Sequence, residues 1–172
     1  MQLSSVLRVS ALTLLSSLSM AKLMAQRGNS QPTAACPSQP ATLRAMRNCY
    51  RPLLVFAPAM DDAQMTAQFN QLKAHVPDFK SREVLYVPIV PEGHNQPIPG
   101  SRIHTASLSE DELAAVRLHF KVEPNDFLVI LLGKDGGEKL TSRAPVPAEQ
   151  LKQLIDSMPM RQSEMKQNQG EP

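Results

Sequence analysis

The sequence predicts an α/β domain in which helices flank a central mixed β-sheet, in the order β-α-β-α-β-β-α. Three observations carry this prediction. Leu53 to Phe56 and Phe127 to Leu132 are unbroken apolar runs, the pattern of strands covered on both faces. Between them, Met65, Phe69, Leu72 and Val76, and then Leu113, Val116 and Phe120, recur at helical spacing. After the second run, Gly133-Lys134-Asp135-Gly136-Gly137 reads as a hairpin turn, because Asp-Gly supplies the positive backbone angle that a tight turn between antiparallel strands needs.

Residues 1–25 read as an export signal. Arg8 precedes an apolar run from Val9 to Met20, with small residues at Ser19, Ala21 and Ala25. Ser10, Thr13, Ser16 and Ser17 interrupt that run, which is shorter than the roughly 20 apolar residues a bilayer span needs. Cleavage after Ala21 or Ala25 is therefore expected, with an uncleaved anchor as the alternative. Residues 26–48 are polar and contain Pro32, Pro37 and Pro40, which suits an extended linker with room for one helical turn around Leu43 to Arg47. Residues 49–159 form the domain. The polar tail, residues 160–172, is expected to be disordered, a short amphipathic extension through Met160 and Met165 being the other option.

Within the domain the first strand is central and ends at Ala57, because Pro58 cannot extend a ladder. Asp61 or Asp62 can accept hydrogen bonds from the free amides of the following helix, which Pro77 stops. Val84 to Ile89 is a β-branched and aromatic strand, and a long loop without periodicity runs from Val90 to Ser107. Ser109 with Glu110, Asp111 and Glu112 predicts a capping box in which Ser109 serves an exposed amide and Glu112 reaches back. After the third strand and the hairpin, Glu138 to Ser142 form the fourth. Leu151, Leu154, Ile155 and Met158 mark a last helix that Pro159 ends.

Composition excludes some function classes. The chain has no Trp and only 4 % aromatic residues, so surfaces for stacking nucleobases or sugars are scarce. The net charge of +2 belongs to the leader: it holds Arg8 and Lys22 and no acid, and without it 16 basic residues face 16 acidic ones. Neither nucleic acid nor an anionic membrane surface is indicated as a partner.

The chain has two cysteines, Cys36 and Cys49, both upstream of the first strand. In an oxidising compartment an even count reads as one disulfide, worth up to about 3 kcal/mol for a loop of this length. A redox pair is the functional alternative. Against it, Cys49 precedes a strand beside Tyr50 and Arg51 instead of opening a helix, where a thiolate would be stabilised. Other constellations are weaker. His94 and His104, with Glu92, match no compact metal-ligand spacing, so no metal site is predicted. His75 is placed to complement a helix C-terminus, and Asp61 and Asp62 serve more simply as helix cap and first-turn acid than as a catalytic pair. The GKDGG segment joins two strands, the wrong context for a phosphate loop. Lys134, Lys139, Arg143 and Arg161 form either a partner surface or a solvated rim.

The element order is that of thioredoxin, and its thiol position is vacant. Met60-Asp61-Asp62-Ala63-Gln64-Met65 stands where a CxxC pair or a peroxidatic cysteine would open the first helix, with Asp61 and Gln64 at the thiol positions. Phe127 and Leu128 stand where a cis-proline would flank the thiol, and Pro124 comes too early. Three separated motifs, LLVFAP, GKDGG-x-K and IDSMPMR with a following Glu-Met, resemble a thioredoxin-like, peroxiredoxin-related family of unknown function. That family is found in bacterial exported proteins and in vertebrate sushi-repeat-containing and extracellular-matrix proteins. The resemblance covers about Arg51 to Met165. It implies an extracellular or periplasmic domain that generally lacks the peroxidatic cysteine and has no agreed activity.

The sequence thus predicts a periplasmic or secreted, non-catalytic interaction or structural module of the cell envelope. It would use no cofactor and have no membrane span after signal cleavage, and an envelope or extracellular macromolecule would be its partner. The alternative is an atypical thiol oxidoreductase or peroxidase using Cys36 and Cys49.

Overall fold

The computed structural model describes residues 35–91 and 102–169. The predicted export signal and the His94 and Glu92 side chains lie outside the described residues. The elements are α1 (Leu43–Met46), β1 (Arg51–Phe56), α2 (Ala63–Lys73), α3 (Val76–Ser81), β2 (Val84–Ile89), α4 (Glu110–Phe120), β3 (Leu128–Leu132), β4 (Glu138–Ser142), α5 (Ala148–Asp156) and α6 (Pro159–Gln169). The four strands form one mixed sheet in the order β2-β1-β3-β4. β1 runs parallel to β2 and antiparallel to β3, and Leu54 lies between Val87 and Ile130. β4 returns antiparallel to β3.

The unbroken apolar runs of β1, β2 and β3 follow from burial on both faces. Leu53, Val55, Tyr86, Val129 and Leu131 point into one core layer, where Met65 and Leu72 of α2, Phe79 of α3, and Leu151 and Ile155 of α5 cover them. Leu54, Phe56, Leu85, Ile89, Ile130 and Leu132 alternate into a second layer under Met46 of α1 and Leu113 and Val116 of α4. Pro52 precedes the β1–β3 ladder, which starts at Leu53. Pro88 sits in β2 at the edge of the sheet, where a missing donor is tolerated. Buried Gln68 fixes the chain between β4 and α5: its Nε2 donates to Val146 O at 3.3 Å and its Oε1 accepts from Val146 N at 2.6 Å.

The fold departs from the sequence reading at four places. The first long helix ends at Lys73, ahead of Val76 and Pro77, and Pro77 opens the short helix α3, since a proline in the first helical turn gives up no bonded N–H. Pro159 acts in the same way, so residues 159–169 form α6 where a disordered tail is expected. The compact unit begins at Cys36 and not at Cys49, so the end of the expected linker is part of the fold. Ser109 N donates to Ala41 O at 3.0 Å, and Leu43 N donates to Glu112 Oε1 at 2.8 Å. Glu112 therefore docks the N-terminal segment and does not close its own capping box, although Ser109 Oγ accepts from Glu112 N at 3.4 Å.

Candidate functional site

The end of β1 that leads into α2 is where a thioredoxin fold would carry its thiol. Asp62 occupies the N-cap of α2, and its Oδ1 accepts from Gln64 N at 2.9 Å and Met65 N at 3.0 Å. A carboxylate thus takes the helix-terminal amides that would stabilise a thiolate. Gln64, at a thiol position, serves only through its backbone. Nearby, Arg117 of α4 stacks its guanidinium 5.7 Å from the centre of the Phe56 ring and donates to Ile89 O at 3.3 Å. Burial lowers the pKa of Arg117.

The two cysteines lie at the other end of the strand. Cys36 and Cys49 are joined in a disulfide with their Cα atoms 5.5 Å apart, and Cys49 stands two residues before β1. The six residues of β1 rise about 3.3 Å each, which puts the length of the strand, on the order of 17 Å, between the disulfide and the α2 terminus. The surrounding turn is well tied. Tyr50 OH donates to Pro37 O at 2.7 Å, and Asn48, at a positive φ of 63°, donates its N–H to Lys134 O at 2.8 Å.

The same end holds the densest charge cluster among the described residues, and two of the three family-like motifs feed it: Lys134 comes from GKDGG-x-K, and Asp156, Arg161 and Glu164 come from IDSMPMR and the Glu-Met after it. Arg51, at the start of β1, is fully buried at 0 % exposure. Its Nη1 donates to Arg82 O at 2.9 Å, and its Nη2 donates to Glu164 Oε1, also at 2.9 Å. Lys134 of the β3–β4 turn, 8 % exposed, pairs with Glu164 at 2.8 Å and with Glu83. Arg161 of α6 donates to Ser81 O at 2.8 Å and pairs with Asp156 at 3.3 Å, while Arg82 Nε reaches Asp156 at 3.0 Å. Glu83 holds its place with a left-handed φ of 53°, which costs a residue with a side chain of order 1 kcal/mol.

The electrostatics follow from this crowding. Burial raises the pKa of the Glu164 carboxyl, but hydrogen bonds from Arg51 and Lys134 and the charges of both outweigh it and leave the group below its ordinary value. Asp156 shows the same balance, with Arg82 and Arg161 as its cations, and is also lowered. Across the network cations and acids compensate each other, as buried charges must.

The β3–β4 turn is built around glycine. Gly136 has a φ of 78°, and a Cβ there would sit 2.6 Å from Arg47 Nε. Asp135 closes the turn by accepting from Gly137 N at 3.0 Å and pairing with Lys139 at 2.7 Å, which keeps its carboxyl below its ordinary pKa.

The predicted residues divide accordingly. Cys36 and Cys49 come together; Asp61 does not cap α2, whereas Asp62 does. His75 directly follows the C-cap of α2, its N–H donating to Leu72 O at 3.0 Å, and also takes the N-cap position of α3 without a side-chain capping bond, its imidazole 3.5 Å from Asp78. His104 packs edge-on against Tyr50 at 5.1 Å. Of the four basic residues read as a surface, Lys134 and Arg161 are buried in ion pairs, Lys139 is held by Asp135, and Arg143, its side chain 75 % exposed, is a surface charge that lies 3.8 Å from Asp126. Arg51, Arg82, Glu83, Asp156 and Glu164 are the members that sequence reasoning missed as a site. Their one signal was a set of charges embedded in or beside apolar runs.

Known structures match this architecture. Thioredoxin peroxidase I from Plasmodium yoelii superposes with a TM-score of 0.53 at 16 % identity, covering 70 % of this chain and 79 % of its own. The reduced 2-Cys peroxiredoxin of Plasmodium vivax superposes with a TM-score of 0.51 at 15 % identity, covering 72 % of this chain and 84 % of its own. At such identities the likeness shows the fold alone. No curated protein matches the chain. The model of one family, described as Domain of unknown function (DUF4174), matches residues 42–164, a span that takes in the start of α2 and every named member of the ion network; the chain belongs to that family and carries a thioredoxin-like fold.

Proposed function

We propose that this protein is an exported, non-catalytic thioredoxin-like module that acts by binding a macromolecule of the cell envelope or extracellular space. One observation carries the reading: the helix terminus where this scaffold performs thiol chemistry is capped by the Asp62 carboxylate, and the two cysteines are bonded to each other at the far end of β1. A carboxylate forms no mixed disulfide, and a cystine with no thiol beside it has no nucleophile to offer. Export is supported by the leader-like first 25 residues and by a disulfide of the kind that persists in oxidising compartments.

The test is direct. Purified mature protein is expected neither to consume hydrogen peroxide nor to reduce insulin disulfides above the buffer rate. Turnover that Cys49→Ser abolishes would overturn the reading in favour of an atypical thiol enzyme using Cys36 and Cys49. Affinity capture from the envelope fraction then addresses the partner.

A further inference from the structure

We propose that the cleft between α1, α4 and the β3–β4 turn binds a small organic carboxylate, holding its apolar body against the helices and its head at Arg47. The cleft has a volume of about 270 Å³. Leu43 of α1 and Ala115 and Phe120 of α4 form its accessible apolar walls, and the second core layer lies beneath them. Arg47, Glu112 and His119 are its only charged or titratable side chains. A mostly apolar concavity with a few polar groups at fixed places is the form of a small-molecule site, and this volume admits a body of about one aromatic ring or a short alkyl chain.

The polar groups decide the chemistry of the head. Glu112, the one acid in the wall, is already engaged at the start of α1, where its Oε1 accepts from Leu43 N at 2.8 Å. Arg47 directly follows the last residue of α1, is exposed, and its guanidinium makes no hydrogen bond or ion pair among the described residues. Carboxylate and unpaired cation thus meet the cleft at opposite ends of α1. The turn places the guanidinium: a Cβ on Gly136, another wall residue, would come within 2.6 Å of Arg47 Nε and 3.2 Å of its Nη2, so a side chain there would push the guanidinium out of the wall. A guanidinium offers paired N–H groups that match the two oxygens of a carboxylate. An ammonium head would meet Arg47 as a like charge, and a neutral head would gain only the apolar contacts.

This inference goes beyond the module reading and is independent of it, since the peroxide and insulin assays do not bear on the cleft. The experiment is an NMR titration of the full mature chain with hexanoate, 3-phenylpropionate, hexanol, hexylammonium and acetate, at constant ionic strength. Saturable shifts of the Ala115, Gly133 and Gly136 amide signals are expected with hexanoate or 3-phenylpropionate, with hexanol at least about tenfold weaker and neither hexylammonium nor acetate saturating. Arg47→Gln is expected to bring the carboxylates down to the level of the alcohol, whereas Arg44→Gln, on an exposed residue of the same helix outside the wall, leaves them unchanged. Ala115→Phe fills the cleft from an exposed helix position and is expected to abolish binding, whereas Ala114→Phe, its exposed neighbour outside the wall, does not. Absence of saturation with both carboxylates, hexanol or hexylammonium binding as tightly as hexanoate, or binding undiminished by Arg47→Gln or Ala115→Phe would each overturn the assignment. So would shifts of the same amides that follow protein concentration alone, which would give the cleft to a second copy of the chain.

Discussion

The two ends of β1 solve opposite problems. At its C-terminal end the α2 terminus, which could activate a nucleophile, is closed by Asp62 through two short hydrogen bonds. At its N-terminal end Arg51, Lys134 and Glu164 are desolvated together, under a disulfide and against a helix that follows the sheet in sequence. The difference teaches that vacating the reactive position leaves the fold intact, because a cap needs only an oxygen acceptor. Removing a member of the charge cluster leaves its partners short of a counter-charge in a setting only partly open to water. The first end is held by a replaceable local contact, and the second by mutual dependence.

The sharpest way to break this comparison is Arg51→Met. It leaves Glu164 and Glu83 short of a cation and is expected to cost about 3–5 kcal/mol in urea or guanidinium unfolding. A cost below about 1 kcal/mol, the level of an exposed pair, would show that the network is ornamental. Next in size is reduction of Cys36–Cys49. It frees a loop with a sequence separation of 13 and is expected to destabilise by about 2–3 kcal/mol, measured by melts with and without reductant.

Acid should act selectively on the same end. Glu164 and Asp156 have folded pKa values below their ordinary 4.5 and 3.8. Their stabilising contribution is therefore fully present above those ordinary values and is lost as the pH falls through the lowered ones. Hydrogen exchange is expected to show α6 losing protection ahead of the β1–β3 core as the pH drops below about 4.5, the ordinary Glu value. Simultaneous loss across the sheet would erase the distinction between the two ends. The smallest effects belong to the thiol-side end. Asp62→Ala is expected to cost about 1 kcal/mol through the lost cap, and Asp61→Ala to stay within about 0.5 kcal/mol. Equal penalties would mean that both acids hold the α2 terminus.

What the sequence disclosed follows from the range of each signal. The strands were legible because the apolar runs of β1 and β3 report burial on both faces locally, and the hairpin because Asp135-Gly136 sets a backbone angle on its own. α3 and α6 were not legible, because Pro77 and Pro159 read as stops when each is also a suitable first-turn residue. The capping box at Ser109 was half right. Glu112 had a better acceptor role waiting at Leu43 N, 69 residues away in sequence. The ion network was beyond reach for the same reason: Arg51 and Glu164 are separated by 113 residues, and no local pattern announces that they meet. Lys134 and Arg161 looked like ordinary surface charges because only tertiary packing buries them.

The bond between Arg51 and Glu164 also sets an order of events. The first strand cannot complete its electrostatic compensation until α6 has formed, so a chain truncated ahead of Glu164 leaves the start of β1 with a buried guanidinium short of an anion.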